Sequence, residues 1–289
     1  MIVMKRKIFI VLSFTFLAYL DSTSQDKAPY RIFSKDGRTR SYKKLVNVAL
    51  ENQVILFGEH HDNSLIHWLE LEVAKDLSKH RKLLMGAEMI ETDNQQQLNK
   101  YLQGEITQKQ LDSTARLWTN YKTDYKPLVD FAKASGIPFV ATNVPRRFAS
   151  LVYKGGFEAL EKLPAEDHAF MPPLPIPYDK SLPGYTKMVA EMGGHGGENL
   201  PKAQALKDAT IAWSILKNIT EDVLFLHYNG TYHSDNFDGI FWYLKRQQPK
   251  LKILTIATVS QADVNALEAA NHNKADFIIV IDEDVTKTY

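Results

Sequence analysis

Cysteine is absent from all 289 residues. That excludes disulfides, thiolate metal centres and a lipid-bearing cysteine anchor. A charge excess is lacking too: 35 Lys and Arg stand against 34 Asp and Glu, a net of +1. Without a basic surplus there is no electrostatic reason to expect nucleic acid or an anionic membrane surface as partner. The apolar run Ile8 to Leu20 is shorter than the ~20 residues that span a bilayer. No tandem repeat of fixed period is present, which excludes a solenoid.

What is present is ample apolar material, 44% of the chain, enough for a full core without covalent staples. Residues 1–24 read as a signal peptide. Lys5, Arg6 and Lys7 precede the apolar run, and Ser22, Thr23 and Ser24 supply small residues for cleavage. Its removal implies a secreted or periplasmic protein of residues 25–289, folded as a single domain. An uncleaved tethering helix is the alternative.

Branched apolar runs recur at Val54 to Phe57, Leu83 to Ala87, Pro138 to Thr142, Val223 to Leu226, Leu251 to Ala257 and Asp276 to Ile281. Their near-continuous hydrophobicity suits strands buried on both faces. Helical stripes lie between them: Leu65, Leu69, Val73, Leu77, then Leu206, Ile211, Ile215, Ile219, with Asp208 and Lys217 off the second stripe. The alternation predicts an α/β fold, a mainly parallel sheet flanked by helices. Two stretches interrupt it. Residues 92–126 are polar and helix-prone, and residues 155–200 hold six of the twelve prolines. Both read as insertions forming a helical cap over the carboxyl edge of the sheet.

Ligands of open α/β sheets bind outside the carboxyl ends of parallel strands. Two of these ends carry a Gly-x-x-His turn, Gly58 to His61 and Gly230 to His233. Gly58 is expected to let the chain turn sharply, which would display Glu59, His60 and His61. An imidazole beside a carboxylate can serve as a general base or hold a divalent metal. The plainer alternative is a helix start capped by Asp62 or Asn63. Glu88 ends the second run and offers a further acid or ligand, or else pairs with a cation such as Arg146. Asn143 can cap the helix after the third run, leaving Arg146 or Arg147 to bind an anion. His233 has Asp235 as a nearby orienting acid, whereas His227 reads as a hydrogen-bonded core residue. Tyr228 and Tyr232 can ligate ferric iron as phenolates or simply pack. Tyr185, Met188 and Met192, at near-helical spacing before His195 in its glycine setting, form a haem-like face or a methionine core stripe.

In order, G-E-H-H (58–61), Glu88, N-V-P-R-R (143–147), A-Q-A-L-K-D-A-T (203–210) and G-T-Y-H (230–233) resemble the ChaN-like haem-binding uptake family of the Tiki/TraB superfamily, which also holds erythromycin-esterase-like hydrolases. The resemblance runs from about Tyr42 to about Leu254. It implies haem as cofactor and a role in iron acquisition with haem-uptake partners in the envelope; a homodimer is a further expectation for the chain. Tyr185, Met188, Met192, His195 and Tyr232 are then the cofactor contacts. The wider superfamily implies a second reading, metal-dependent proteolysis or ester hydrolysis. In it Glu59, His61, Glu88 and His233 hold a divalent metal or activate water, and Arg146 steadies an anion. Gln204 and Asp208 match the family's helix motif, where an Asp orients a histidine. A silent partner-binding module is the third reading.

Overall fold

The computed structural model describes residues 27–191 and 197–289. The expected signal peptide, Met192 and His195 lie outside these residues. In chain order the elements are β1 (Tyr30–Ser34), β2 (Thr39–Arg40), α1 (Tyr42–Ala49), β3 (Val54–Glu59), α2 (Ser64–Ser78), β4 (Lys82–Glu91), α3 (Gln95–Leu102), α4 (Gln108–Thr114), α5 (Lys126–Ser135), β5 (Phe139–Asn143), α6 (Arg146–Gly155), α7 (Pro183–Glu191), α8 (Asn199–Asn218), β6 (Val223–Gly230), α9 (Ile240–Gln247), β7 (Ile253–Gln261) and β8 (Phe277–Asp282). No helix among the described residues is long and apolar enough to cross a membrane.

The strands form one sheet in the order β2-β1-β8-β7-β3-β6-β4-β5. From β8 to β5 every pairing is parallel, and β1 joins β8 antiparallel. All six apolar runs of the sequence become strands of this parallel block. The β1-β2 hairpin was not anticipated. It lies at the sheet's edge, is only partly buried, and lacks the continuous apolar run of a central strand.

Successive residues of a strand point to opposite faces, and β3 shows the result. Ile55 and Phe57 enter a core with α1, α2 and α5, while Val54 and Leu56 enter another with α6, α8 and α9. Each insertion thickens one face. Residues 92–126 give Leu98, Tyr101, Leu111 and Tyr125 to the first core; residues 155–200 give Leu160, Met171 and Ile176 to the second. Helix α8 is buried more fully than its stripe indicates, because α6, α7 and α9 pack on it as well as β5. Asp208, off the stripe, is therefore completely buried.

Two local expectations change. Gly58 does not adopt a left-handed backbone; it lies within β3. Its glycine is required for space, since a Cβ would lie 2.8 Å from the Ile256 carbonyl oxygen of the neighbouring strand. Asn143 does not cap α6. It ends β5, and Pro145 stands at the cap position. Asn63 does cap α2, its Oδ1 accepting from the backbone N–H groups of Leu65 and Ile66. Gly58→Ala should lower stability by about 1–3 kcal/mol through overpacking against that carbonyl, read as a fall in the urea midpoint at unchanged slope.

Candidate functional site

Strand β6 pairs with β3 on one side and β4 on the other, with Glu59 opposite Gly230 and Ala87 opposite Tyr228. This register brings the two Gly-x-x-His turns and Glu88 to adjacent strand ends. The turns touch: a Cβ on Gly230 would lie 2.6 Å from Nε2 of His61 and 3.5 Å from Oε2 of Glu88. Glycine at 230 thus makes room for the imidazole of the other turn.

Two carboxylate–imidazole groups result. In the first, Nδ1 of His61 lies 2.6 Å from Oε1 of Glu59, which also accepts from the Tyr125 hydroxyl at 2.7 Å. Trp118 packs edge-on to the His61 ring, with centroids 4.9 Å apart. In the second, Nδ1 of His233 lies 2.5 Å from Oδ1 of Asp208 and Nε2 lies 3.0 Å from Oε1 of Glu88. The other Glu88 oxygen accepts the Gly230 N–H at 2.8 Å, and the other Asp208 oxygen accepts the Tyr185 hydroxyl at 2.8 Å. The Gln204 amide is 3.0 Å from the His233 ring. His233 therefore has an acid on each nitrogen.

Electrostatics follow from burial opposed by pairing. Burial works against the His233 cation, yet Glu88 and Asp208 raise its pKa to about 9. Burial also works against the Glu88 charge, but His233, with a smaller contribution from His61, holds that carboxyl below the usual range. Asp208, fully buried, is pushed up by that burial. At Glu59 burial is likewise outweighed, here by the hydrogen bond of His61 and the positive charge of His67 beside it, and its pKa falls. The His61 pKa rises because Glu59 and Glu88 overcome burial.

Of the residues singled out from sequence, Glu59, His61, Glu88 and His233 are brought together, but not as one four-ligand cage. Glu59 engages His61, and Glu88 engages His233. Arg146 is not part of the group. It is exposed at the start of α6, after the edge strand β5, and Glu88 pairs with His233 instead. Arg147 pairs with Asp93 and Asp167. Asp208, not Asp235, orients His233. His227 is fully buried, bonded to Thr142 and Asn229.

Tyr185 is buried on α7, its ring 5.7 Å from that of Tyr178. Together with Val189, Pro201, Lys180 and Lys202 they line a cavity of about 490 Å³. Met188 is half-buried on the same helix. Tyr232 is exposed and donates to Glu191; it lines a separate polar pocket with His60, Lys187 and Asp235. Sequence reasoning missed Tyr125, Tyr178, His67 and Glu70. The last two had a signal: ionisable residues three apart on a helix, adjacent to the Leu69–Val73 stripe.

An imidazole whose pKa rises on folding contributes stability that is complete below its ordinary value of 6.5 and is lost as pH passes through about 9. Chemical denaturation across pH 6 to 10 should therefore show wild type losing on the order of 3 kcal/mol relative to His233→Gln, with most of the difference gone by pH 10.

Among curated proteins none matches the chain. Among solved structures, ChaN of Campylobacter jejuni, described with cofacial haem, aligns at a TM-score of 0.66 and 17% identity, covering 87% of this chain and 96% of that one. A protein from Bacillus cereus aligns at 0.51 and 10% identity, covering 83% and 90%. At such identities these likenesses establish the fold alone. The model of the family described as haem-binding uptake, Tiki superfamily, ChaN, matches residues 45–244. That span includes both Gly-x-x-His turns, Glu88 and Asp208, and the chain belongs to this haem-binding uptake family.

Proposed function

We propose that the chain binds haem and serves haem or iron uptake outside the cytoplasm, after loss of its leader. The observation that carries this reading is the family match over residues 45–244. Haem-uptake partners in the envelope and a homodimer belong to the same reading. The cavity beside α7 and α8 suits such a ligand. Its volume, about 490 Å³, and its aromatic and aliphatic lining fall in the range of small-molecule sites. Lys180 and Lys202 at its border can pair with propionates.

The Tyr185 hydroxyl is committed to Asp208, so Tyr185 would contribute its ring. Tyr178 is the phenol that faces the cavity beside it, and tyrosinate is an established ligand of haem iron. Bound haem would supply a ferric centre for that oxygen. Titrating the purified protein with haemin should give a saturable Soret shift. Tyr178→Phe should alter the spectrum and weaken binding at least tenfold, with Tyr232→Phe close to wild type. A free-haemin spectrum throughout would overturn the reading.

The buried carboxylate–imidazole pairs favour one second reading, hydrolysis. His61, aligned by Glu59, faces the Glu88–His233 pair across Gly230, so one imidazole can take a proton while the other, as a cation, stabilises developing negative charge. A peptidase and esterase screen should then reveal activity that both His61→Ala and His233→Ala abolish. Activity surviving both changes would have another source.

A further inference from the structure

Behind the first carboxylate–imidazole group lies a second set of ionisable residues that neither reading uses. His67 and Glu70, three residues apart on α2, face Glu59 from β3. One ligand atom from each of Glu59, His67 and Glu70 lies within 4.8 Å of the other two. Glu59 is 1% exposed and Glu70 is 0% exposed. Nδ1 of His67 sits 3.1 Å from Oε2 of Glu70 and 3.3 Å from Oε2 of Glu59. Two further observations point to a ligand. Oε2 of Glu59 and Oε1 of Glu70 are buried without a hydrogen-bond partner. Nε2 of His67 lies 3.1 Å from the His61 carbonyl oxygen, so its N–H donates there and Nδ1 faces the two carboxylates, where a metal ion would take the place of the Nδ1 proton.

We propose that Glu59, His67 and Glu70 form a binding site for one divalent cation, Zn²⁺ or Mn²⁺. Two carboxylates and an imidazole are hard-to-borderline donors suited to those ions. An imidazole that donates its other N–H to a backbone carbonyl is the usual arrangement of a metal-ligating histidine. A proton on Nδ1 is shared poorly among several carboxylate oxygens, whereas a cation can coordinate the orphaned ones at once. The site is distinct from the four residues of the strand ends. It shares only Glu59, whose Oε1 holds His61 and Tyr125 while Oε2 faces the cation position. A bound ion would fix that carboxylate and, through it, the His61 ring.

The test uses the full purified chain, stripped with chelator and titrated with ZnCl₂, then MnCl₂, by calorimetry and thermal melting. One saturable equivalent with a raised melting temperature is expected. His67→Gln and Glu70→Gln should each weaken uptake at least tenfold, and Glu88→Gln should leave it unchanged. Absence of saturable uptake in wild type, uptake indifferent to the His67 and Glu70 changes, or uptake lost in Glu88→Gln would overturn the proposal. If the α2 variants fail to fold, X-ray absorption on zinc-loaded wild type decides. One imidazole among oxygen donors supports the site; two imidazoles refute it.

Discussion

The parallel pairing of β6 with both β3 and β4 is the constraint on which the site depends. Parallel ladders fix neighbouring strands in register through evenly spaced hydrogen bonds, and here that register sets Glu59 opposite Gly230. Three strand ends distant in sequence thereby present Glu59, Glu88 and the two histidine turns at one edge. The two glycines of the turns serve proximity, one against the Ile256 carbonyl and the other against the His61 ring.

Concentrating carboxylates in a region that water does not reach would be costly unless each has a partner. The fold meets this with imidazoles placed between acids. His233 lies between Asp208 and Glu88, and His67 between Glu59 and Glu70. Tyr125 and Tyr185 add hydroxyl donors from the two insertions. The insertions therefore do more than cover the sheet, since each supplies a hydrogen bond that fixes a carboxylate behind a histidine. Around His67 the compensation is incomplete, and two carboxylate oxygens remain without partners.

The cavity beside α7 and the acid–imidazole edge occupy neighbouring parts of the molecule, linked through Tyr185. Its ring borders the cavity beside α7, and its hydroxyl reaches Asp208, the partner of His233. A ligand settling in that cavity would press on a side chain one hydrogen bond away from the buried ion pair.

The sequence by itself determined the parallel block. Branched apolar runs can only be buried on both faces, and the helical stripes between them must cover those faces. It also indicated that Glu59, His61, Glu88 and His233 lie toward the carboxyl ends of strands, because each comes soon after such a run. Tertiary structure alone decided how these residues pair, since strand order is not written in local periodicity: only the insertion of β6 between β3 and β4 makes the turns neighbours. It decided equally that Asp208 rather than Asp235 orients His233, because α8 is covered on more sides than its own stripe requires. Arg146 was drawn toward the site by its place after a strand, but that strand is the outermost, and the charge stays in solvent. Sequence spacing fixes what an element can bury; which buried charges meet is fixed by packing between elements.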